Sequence, residues 1–250
     1  MKNIWITGAS SGIGKALALK FANEGWQVAA SARREDLLNK ISELNKNISS
    51  FPLDVTDREK CKETFEQITN KYQSIDICFF STGTWDPNKE KDIDIDQMKK
   101  VMDVNFFGTL NCIKAVENYF RKKNSGHISI VSSIAGYRGL PNSTGYGASK
   151  AALNNLAESL YFDFGRYNVR VSLVSPGFIK TPMTDKNEFK MPFLKTAEYA
   201  ADKIYKGLIN GSSFEIDFPK ELTLILKFLK LLPDKLYFKI IRKLTKYQKR

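Results

Sequence analysis

Tyr146-Gly147-Ala148-Ser149-Lys150 sets a phenol and an ammonium four residues apart. On a helix that spacing puts both on one face, about one turn from each other. A tyrosine with an ordinary pKa near ~10 exchanges protons poorly at neutral pH. A cation held beside it favours the phenolate, as does the positive ring of an oxidised nicotinamide, so the pair suits general acid–base work on a carbonyl or alcohol oxygen. Alone, Tyr-x-x-x-Lys arises by chance in many helices. Just upstream, however, the run Ile128-Ser129-Ile130-Val131 ends in Ser132-Ser133. That puts a hydroxyl at the carboxyl end of an expected parallel strand, where open α/β sheets collect their ligands.

A second constellation lies at the start of the chain. Thr7-Gly8-Ala9-Ser10-Ser11-Gly12-Ile13-Gly14 follows the first expected strand and opens the first expected helix. Gly8 allows the tight turn, Gly12 lets backbone amides approach a pyrophosphate, and Gly14 lets the helix pack close to the strand. The unpaired amides of the helix N-terminus favour an anion. Gly8, Ser10, Ser11, Gly12, Ile13 and Gly14 are therefore candidate dinucleotide contacts. Dinucleotide sites usually end their second strand on an acidic residue that bonds the adenosine ribose. Here the strand ends Ala29-Ala30-Ser31-Ala32-Arg33-Arg34, with no carboxylate before Glu35. A guanidinium binds a 2′-phosphate that a carboxylate would repel. The expected cofactor is NADP(H), with Arg33 on the phosphate, helped by Ser31 and Arg34. Asp54-Val55, ending the third strand, is placed for the adenine edge.

The elements that must position these groups alternate along the first 218 residues. Short apolar runs fall at Asn3–Thr7, Gln27–Ala32, Ser50–Leu53, Ile75–Phe80, His127–Val131, Val169–Val174 and Phe214–Phe218. Stretches with helical apolar spacing, such as Ala16–Asn23, Asp57–Tyr72, Val101–Phe120 and Ala148–Phe164, lie between them. That alternation predicts an α/β fold: a single doubly wound Rossmann-type domain over 1–218, with helices on both faces of a parallel sheet of about seven strands. Residues 219–250 read as a separate helical tail.

Taken together, the motifs resemble the short-chain dehydrogenase/reductase family in its branch of about 250 residues. The resemblance covers residues 3–218 and rests on Thr7-Gly8-x-x-x-Gly12-Ile13-Gly14, Asp54-Val55, Asn105, Ser133, Tyr146-x-x-x-Lys150 and Pro176-Gly177-x-x-x-Thr181. It implies that Tyr146 is the general acid–base and that Lys150 binds the nicotinamide ribose and lowers the tyrosine pKa. It further implies that Ser133 orients the substrate oxygen and that Asn105 supports a water relay to Lys150. The family's usual interval of thirteen residues to the tyrosine favours Ser133 over Ser132. Pro176, Gly177, Ile179 and Thr181 fall in the segment that closes over the nicotinamide. The resemblance also implies a dimer or tetramer. One departure is plain: where the family carries Asn-Asn-Ala-Gly after the fourth strand, this chain reads Phe80-Ser81-Thr82-Gly83, retaining only Gly83. The expected reaction is hydride transfer between nicotinamide and a ketone, aldehyde or alcohol. The partly apolar stretch 183–195 favours a hydrophobic substrate.

Composition narrows the alternatives. An apolar content of 42% with 26% charged residues fits a globular chain and excludes long disorder. Cys61, Cys78 and Cys112 have no Cys-x-x-Cys spacing, and His127 is the only histidine, so neither a disulfide framework nor a metal centre is expected. His127 itself, before the fifth strand, reads as a strand-end or surface residue. No signal peptide is visible and no apolar stretch reaches the ~20 residues that span a bilayer, so the expected location is cytoplasmic. The net charge of +12 is concentrated in residues 220–250, where ten basic side chains face two acidic ones. The body is only mildly basic, which argues against nucleic acid as a partner. In the tail, the apolar run 222–232 and the series Leu236, Ile240, Ile241, Leu244 and Tyr247, opposite lysines and arginine, form basic amphipathic helices. They suit an anionic membrane surface across 222–247, a cover for the substrate pocket, or a subunit interface. A contrasting functional reading is a membrane-peripheral module that binds NADP(H) without turnover.

Overall fold

Each short apolar run falls on a strand, and all are largely buried except the edge strand Ile48–Pro52, which is mostly half-buried and ends on exposed Pro52. The computed structural model describes residues 2–86, 93–211 and 213–245. Its strands are β1 (Asn3–Thr7), β2 (Gln27–Ala32), β3 (Ile48–Pro52), β4 (Ile77–Phe80), β5 (Gly126–Val131), β6 (Val169–Pro176) and β7 (Glu215–Phe218). All pair in parallel, in the order β3-β2-β1-β4-β5-β6-β7. Connections run one way from β1 to β3 and the other way from β4 onward, so the order reverses between β1 and β4. A crevice opens at the carboxyl ends of strands at such a reversal. This is the doubly wound Rossmann arrangement expected from the sequence.

Helices α1 (Gly12–Asn23), α2 (Glu35–Leu44), α3 (Arg58–Tyr72), α4 (Ile95–Met102), α5 (Gly108–Lys123), α6 (Thr144–Gly165) and α7 (Ala197–Ile209) cover the two faces. Strand alternation divides the core. Ile4 and Ile6 of β1 join one cluster with Leu17, Phe21 and Ile204, whereas Trp5 joins the other with Phe65, Phe80 and Phe120. Each fully buried large side chain contributes roughly 1.5–3 kcal/mol of transfer free energy.

Two helices differ from expectation in ways that bear on the site. The stretch 101–120 is not one α-helix. α4 passes into a π-helical turn at Asp103–Phe107 before α5 begins. The turn leaves Asn105 fully buried, with both ends of its amide engaged across the fold, and apolar spacing carries no signal for it. α6 starts at Thr144 rather than Ala148, which takes Tyr146 into its first turn. The small and polar residues of that turn gave no periodic signal. His127 is buried within β5, not exposed. Its Nε2 lies 2.8 Å from Ser172 Oγ, and burial together with the nearby Arg170 charge lowers its pKa to about 3.

The tail forms α8 (Lys220–Lys230) and α9 (Asp234–Leu244), joined by a short link. Both bury part of their apolar surface against the domain. Leu229, Tyr237 and Ile241 form a small core with Leu140 and Ile240. Arg138 fastens it, stacking 4.0 Å from the Tyr237 ring centroid, donating to the carbonyls of Lys230 and Leu232 at 3.2 and 2.8 Å, and pairing with Asp234. The Tyr237 hydroxyl donates to Gly139 O at 2.8 Å. Part of the stripe read as membrane-facing, Ile240 and Ile241, is therefore used inside the protein; positions 246 and 247 lie outside the described residues. Among the described residues no helix is long and apolar enough to cross a membrane.

Candidate functional site

β1 and β4 end side by side at the crevice. Gly8 follows β1 with φ +71°, and a Cβ there would come within 2.9 Å of the Ser81 backbone. The two loops can approach this closely only without a side chain. A Cβ on Gly14 would lie 2.4 Å from Gly8 O, so α1 can start directly over the turn only because residue 14 is bare. Ser81, within the departure after β4, ties the two loops together. Its hydroxyl donates to Thr7 O at 2.6 Å and its amide donates to Thr7 Oγ1 at 3.3 Å. Serine thus supplies a cross-link at the substituted position.

A cleft runs along these strand ends. Of the residues singled out in the sequence, Gly8, Ser10, Ser11, Gly12, Ile13, Gly14, Arg33, Arg34, Asp54, Val55, Gly83, Tyr146, Lys150, Pro176 and Thr181 line it. One end is cationic. Arg34 crosses to the glycine-rich turn and donates to Ser10 Oγ and Ser11 Oγ at 2.9 and 3.0 Å. Arg33 is largely exposed, 3.9 Å from an Asp54 carboxylate oxygen. At α1, Ser11 occupies the N-cap without a side-chain capping bond, so the first-turn amides remain available to a ligand. Thr82 Oγ1 is buried and has no hydrogen-bond partner among the described residues.

The other end holds the acid–base pair. Lys150 lies on α6 and is 4% exposed. Its ammonium donates one hydrogen bond, to Val131 O at 2.9 Å, and lies 5.7 Å from the Tyr146 ring centroid. Desolvation lowers its pKa to about 8. An ammonium carries three donors, and two find no acceptor among the described residues. Asn105 stands behind the cleft. Its Oδ1 accepts from Thr84 N at 2.7 Å, and its Nδ2 donates to Thr84 O and to Ser149 Oγ at 3.1 and 3.0 Å. Ser149 Oγ in turn donates to Tyr146 O at 2.7 Å. Asn105 thereby braces the loop after β4 against the helix that carries the pair.

The two serines differ. Ser132 lines the cleft, but its hydroxyl donates to Lys150 O at 2.9 Å within the interior. Ser133 is not among the lining residues. Its Oγ accepts from Ala135 N at 3.1 Å, which leaves its own proton free to be donated.

Three expected cofactor contacts are not brought to the cleft. Ser31 is fully buried, and its hydroxyl accepts from Trp5 Nε1 at 2.9 Å. Strand alternation turns it into the core beneath the sheet, so it cannot assist Arg33. A Cβ on Gly177 would meet Leu222 and Pro219 at 3.0 Å, and Ile179 is buried in the core. That leaves Pro176 and Thr181 as the segment's contribution, joined by Pro182 and Met183. Sequence reasoning also missed Trp85. Its ring lies 5.4 Å from that of Tyr146, tilted by 33°, and its buried Nε1 has no hydrogen-bond partner among the described residues. The contact spans sixty-one residues of chain and follows no motif.

Comparison with known proteins adds the following. A family model described as short chain dehydrogenase matches residues 2–191, ending before α7. An uncharacterized oxidoreductase of Myxococcus xanthus is 32% identical over 243 residues, 96% of each chain. The 3-oxoacyl-[acyl-carrier-protein] reductase FabG of Thermotoga maritima is 40% identical over 190 residues, covering 72% of this chain and 75% of that protein. A solved structure of ElxO with NADP bound shares 29% identity at a TM-score of 0.77, covering 86% of this chain and 97% of that one.

Proposed function

The chain belongs to the short-chain dehydrogenase family, and from that premise we propose that it is an NADP(H)-dependent oxidoreductase acting on a hydrophobic ketone, aldehyde or alcohol. The observation that carries this reading is the opening of Tyr146 and buried Lys150 into the same cleft as the glycine-rich turn and two arginines.

The residues present fit the cofactor. The uncapped start of α1 and the bare positions at Gly8 and Gly14 make room for a pyrophosphate and offer it amides. Among the described residues, Thr82 Oγ1 and two Lys150 donors are polar groups still lacking partners. Arg33 and Arg34 suit a 2′-phosphate, and the NADP bound in ElxO supports the choice of cofactor. Bound there, the nicotinamide supplies or accepts hydride at the substrate carbon.

The chain's own groups manage the oxygen. Tyr146 gives its hydroxyl proton to a carbonyl oxygen, or takes one from an alcohol. Lys150, held by Val131 O, places positive charge beside the phenol and favours the phenolate left behind. Ser133, at the mouth of β5 beside the lining residue Ser132 and with its hydroxyl proton uncommitted, is the residue that the family resemblance assigns to orient the same oxygen. Trp85 packs on Tyr146 beside the cleft, and Pro182 and Met183 give the substrate end an apolar wall. That wall favours a hydrophobic substrate.

NADPH consumption against a panel of aliphatic and aromatic carbonyls tests the proposal. Tyr146→Phe is expected to lower kcat by about 10²–10⁴ while NADPH affinity stays within about threefold. Tight NADPH binding without turnover of any carbonyl would favour the non-catalytic module, and unaltered turnover in Tyr146→Phe would remove Tyr146 from the chemistry.

A further inference from the structure

The helices that close the chain leave an outer surface that the fold does not use. On α8, Leu224, Ile225, Phe228 and Leu231 recur at i, i+1, i+4 and i+7 and so share one side. That side faces solvent, with Phe228 64% and Leu231 82% exposed, whereas Leu222 and Leu229 face inward. On α9, Lys235, Lys239, Arg242 and Lys243 also share one side, opposite buried Tyr237 and Ile241. None of these four cations has an ion pair among the described residues. The ion pairs that do involve the tail lie at its inner edge, where Lys220 and Lys227 meet Asp217 and Glu215, or use Asp234, which Arg138 neutralises. Phe238 and Leu236, both exposed, flank the basic row. The hairpin therefore presents large apolar side chains beside a row of unpaired cations.

We propose that this outer face docks the protein on an anionic lipid surface. Four large apolar groups on one helix would be wasted in water, and a set of cations with no acidic partner matches a negatively charged headgroup layer. The apolar arc can enter the headgroup–acyl boundary while the Lys and Arg stems reach along it to keep their charges at the phosphates. Charge argues against a second copy as the occupant, because two such faces would bring their cations together. Nucleic acid would satisfy the cations but leave the apolar arc uncovered. The face is coupled to the cleft wall: Leu222, on the inner side of α8, packs on Gly177, next to cleft-lining Pro176. From that point the chain runs out through the segment that exposes Phe189, Phe193 and Leu194. Docking is independent of turnover and is measured without it.

Flotation of the full chain with phosphatidylcholine vesicles, with and without about one-third phosphatidylglycerol, tests the proposal. Anionic vesicles are expected to retain at least about tenfold more protein than neutral ones, and salt at about 0.5 M should release it. Charge reversal by Lys235→Glu, Lys239→Glu, Arg242→Glu and Lys243→Glu together should abolish flotation. Phe228→Ser with Leu231→Ser should weaken it by about tenfold. All six side chains are exposed, and melting followed by circular dichroism checks that each variant folds as the parent does. Equal retention by both vesicle types, or flotation unchanged in both variants, overturns the proposal. So does a loss of oligomeric mass in light scattering for Phe228→Ser with Leu231→Ser that leaves flotation intact, because the face would then be an interface between copies.

Discussion

Replacing Lys150 by methionine should make the protein more stable and catalytically inert. The Lys150 ammonium is buried, and desolvation lowers its pKa from 10.5 to about 8. At ~1.36 kcal/mol per unit, carrying that charge into the fold costs about 3 kcal/mol at pH 7. The folded pKa lies below the unfolded one, so the unfolded chain binds more protons between the two. Stability attributable to this group therefore rises with pH across that window, and the penalty is gone above the unfolded value. The protein offsets only part of the cost, through the single bond to Val131 O. Methionine fills a similar volume without charge but leaves that carbonyl unpaired, a loss of about 1 kcal/mol. The net gain at pH 7 is then about 2 kcal/mol, or roughly 4–8 °C in Tm for a chain of this size. By about pH 9.5 wild type recovers about 2 kcal/mol, and the two proteins should be near parity. Urea unfolding of the free proteins at both pH values measures the difference. A variant less stable than wild type at pH 7, or a difference that ignores pH, would show that the ammonium is well solvated in the fold and would refute the reasoning. NADPH-dependent turnover should meanwhile fall by about 10² or more, because the charge that favours the Tyr146 phenolate is gone.

Other substitutions probe the remaining parts. Gly14→Ala puts a methyl 2.4 Å from Gly8 O, so the turn must open; a loss of about 1–3 kcal/mol in urea titration, together with weakened NADPH binding, is expected. Arg33→Ala with Arg34→Ala should raise the Kd for NADPH by about 10–100-fold while changing that for NADH little, measured by cofactor fluorescence. Unchanged discrimination would move the 2′-phosphate elsewhere. Asp217 is buried beside Lys220 and Lys227. Burial opposes its ionisation, but the hydrogen bond from Lys220 and the two lysine charges outweigh it and hold its pKa below 3.8. Its stabilisation is present at neutral pH and is lost as pH falls through that depressed pKa. Asp217→Asn should therefore cost about 2 kcal/mol near pH 7 and approach wild type in strong acid, as followed by thermal melts.

How far the site could be read in advance depended on the kind of contact. The turn from Gly8 to Gly14 and the pair Tyr146/Lys150 are local, so their spacing carried their geometry and both reach the cleft. Arg33 and Arg34 follow β2 and need only the end of a strand to be placed correctly. Ser31, two residues earlier, failed because side chains alternate along a strand and parity within β2 decides whether a hydroxyl meets the ligand or the core. Gly177 and Ile179 do not line the cleft for a related reason, since α8 packs on the first and the core takes the side chain of the second. Trp85 was invisible because its contact with Tyr146 is made by a loop crossing from β4 to α6. In the tail, the apolar periodicity of α9 is the same whether it faces lipid or a core, and only Arg138, Gly139 and Leu140 reveal which side is covered.

The amino-acid sequence by itself determined the alternation of strand and helix, the glycines where backbones must touch, and the phenol and amine on one helical turn. These rest on interactions within a few residues, which spacing encodes. The tertiary structure alone decided that a buried ammonium would be desolvated, that Asn105 would turn inward at a π-helical turn, and that the last two helices would bury one side and leave an apolar and a basic surface outward. Those outcomes depend on what lies across the sheet from each residue, and chain proximity does not record that.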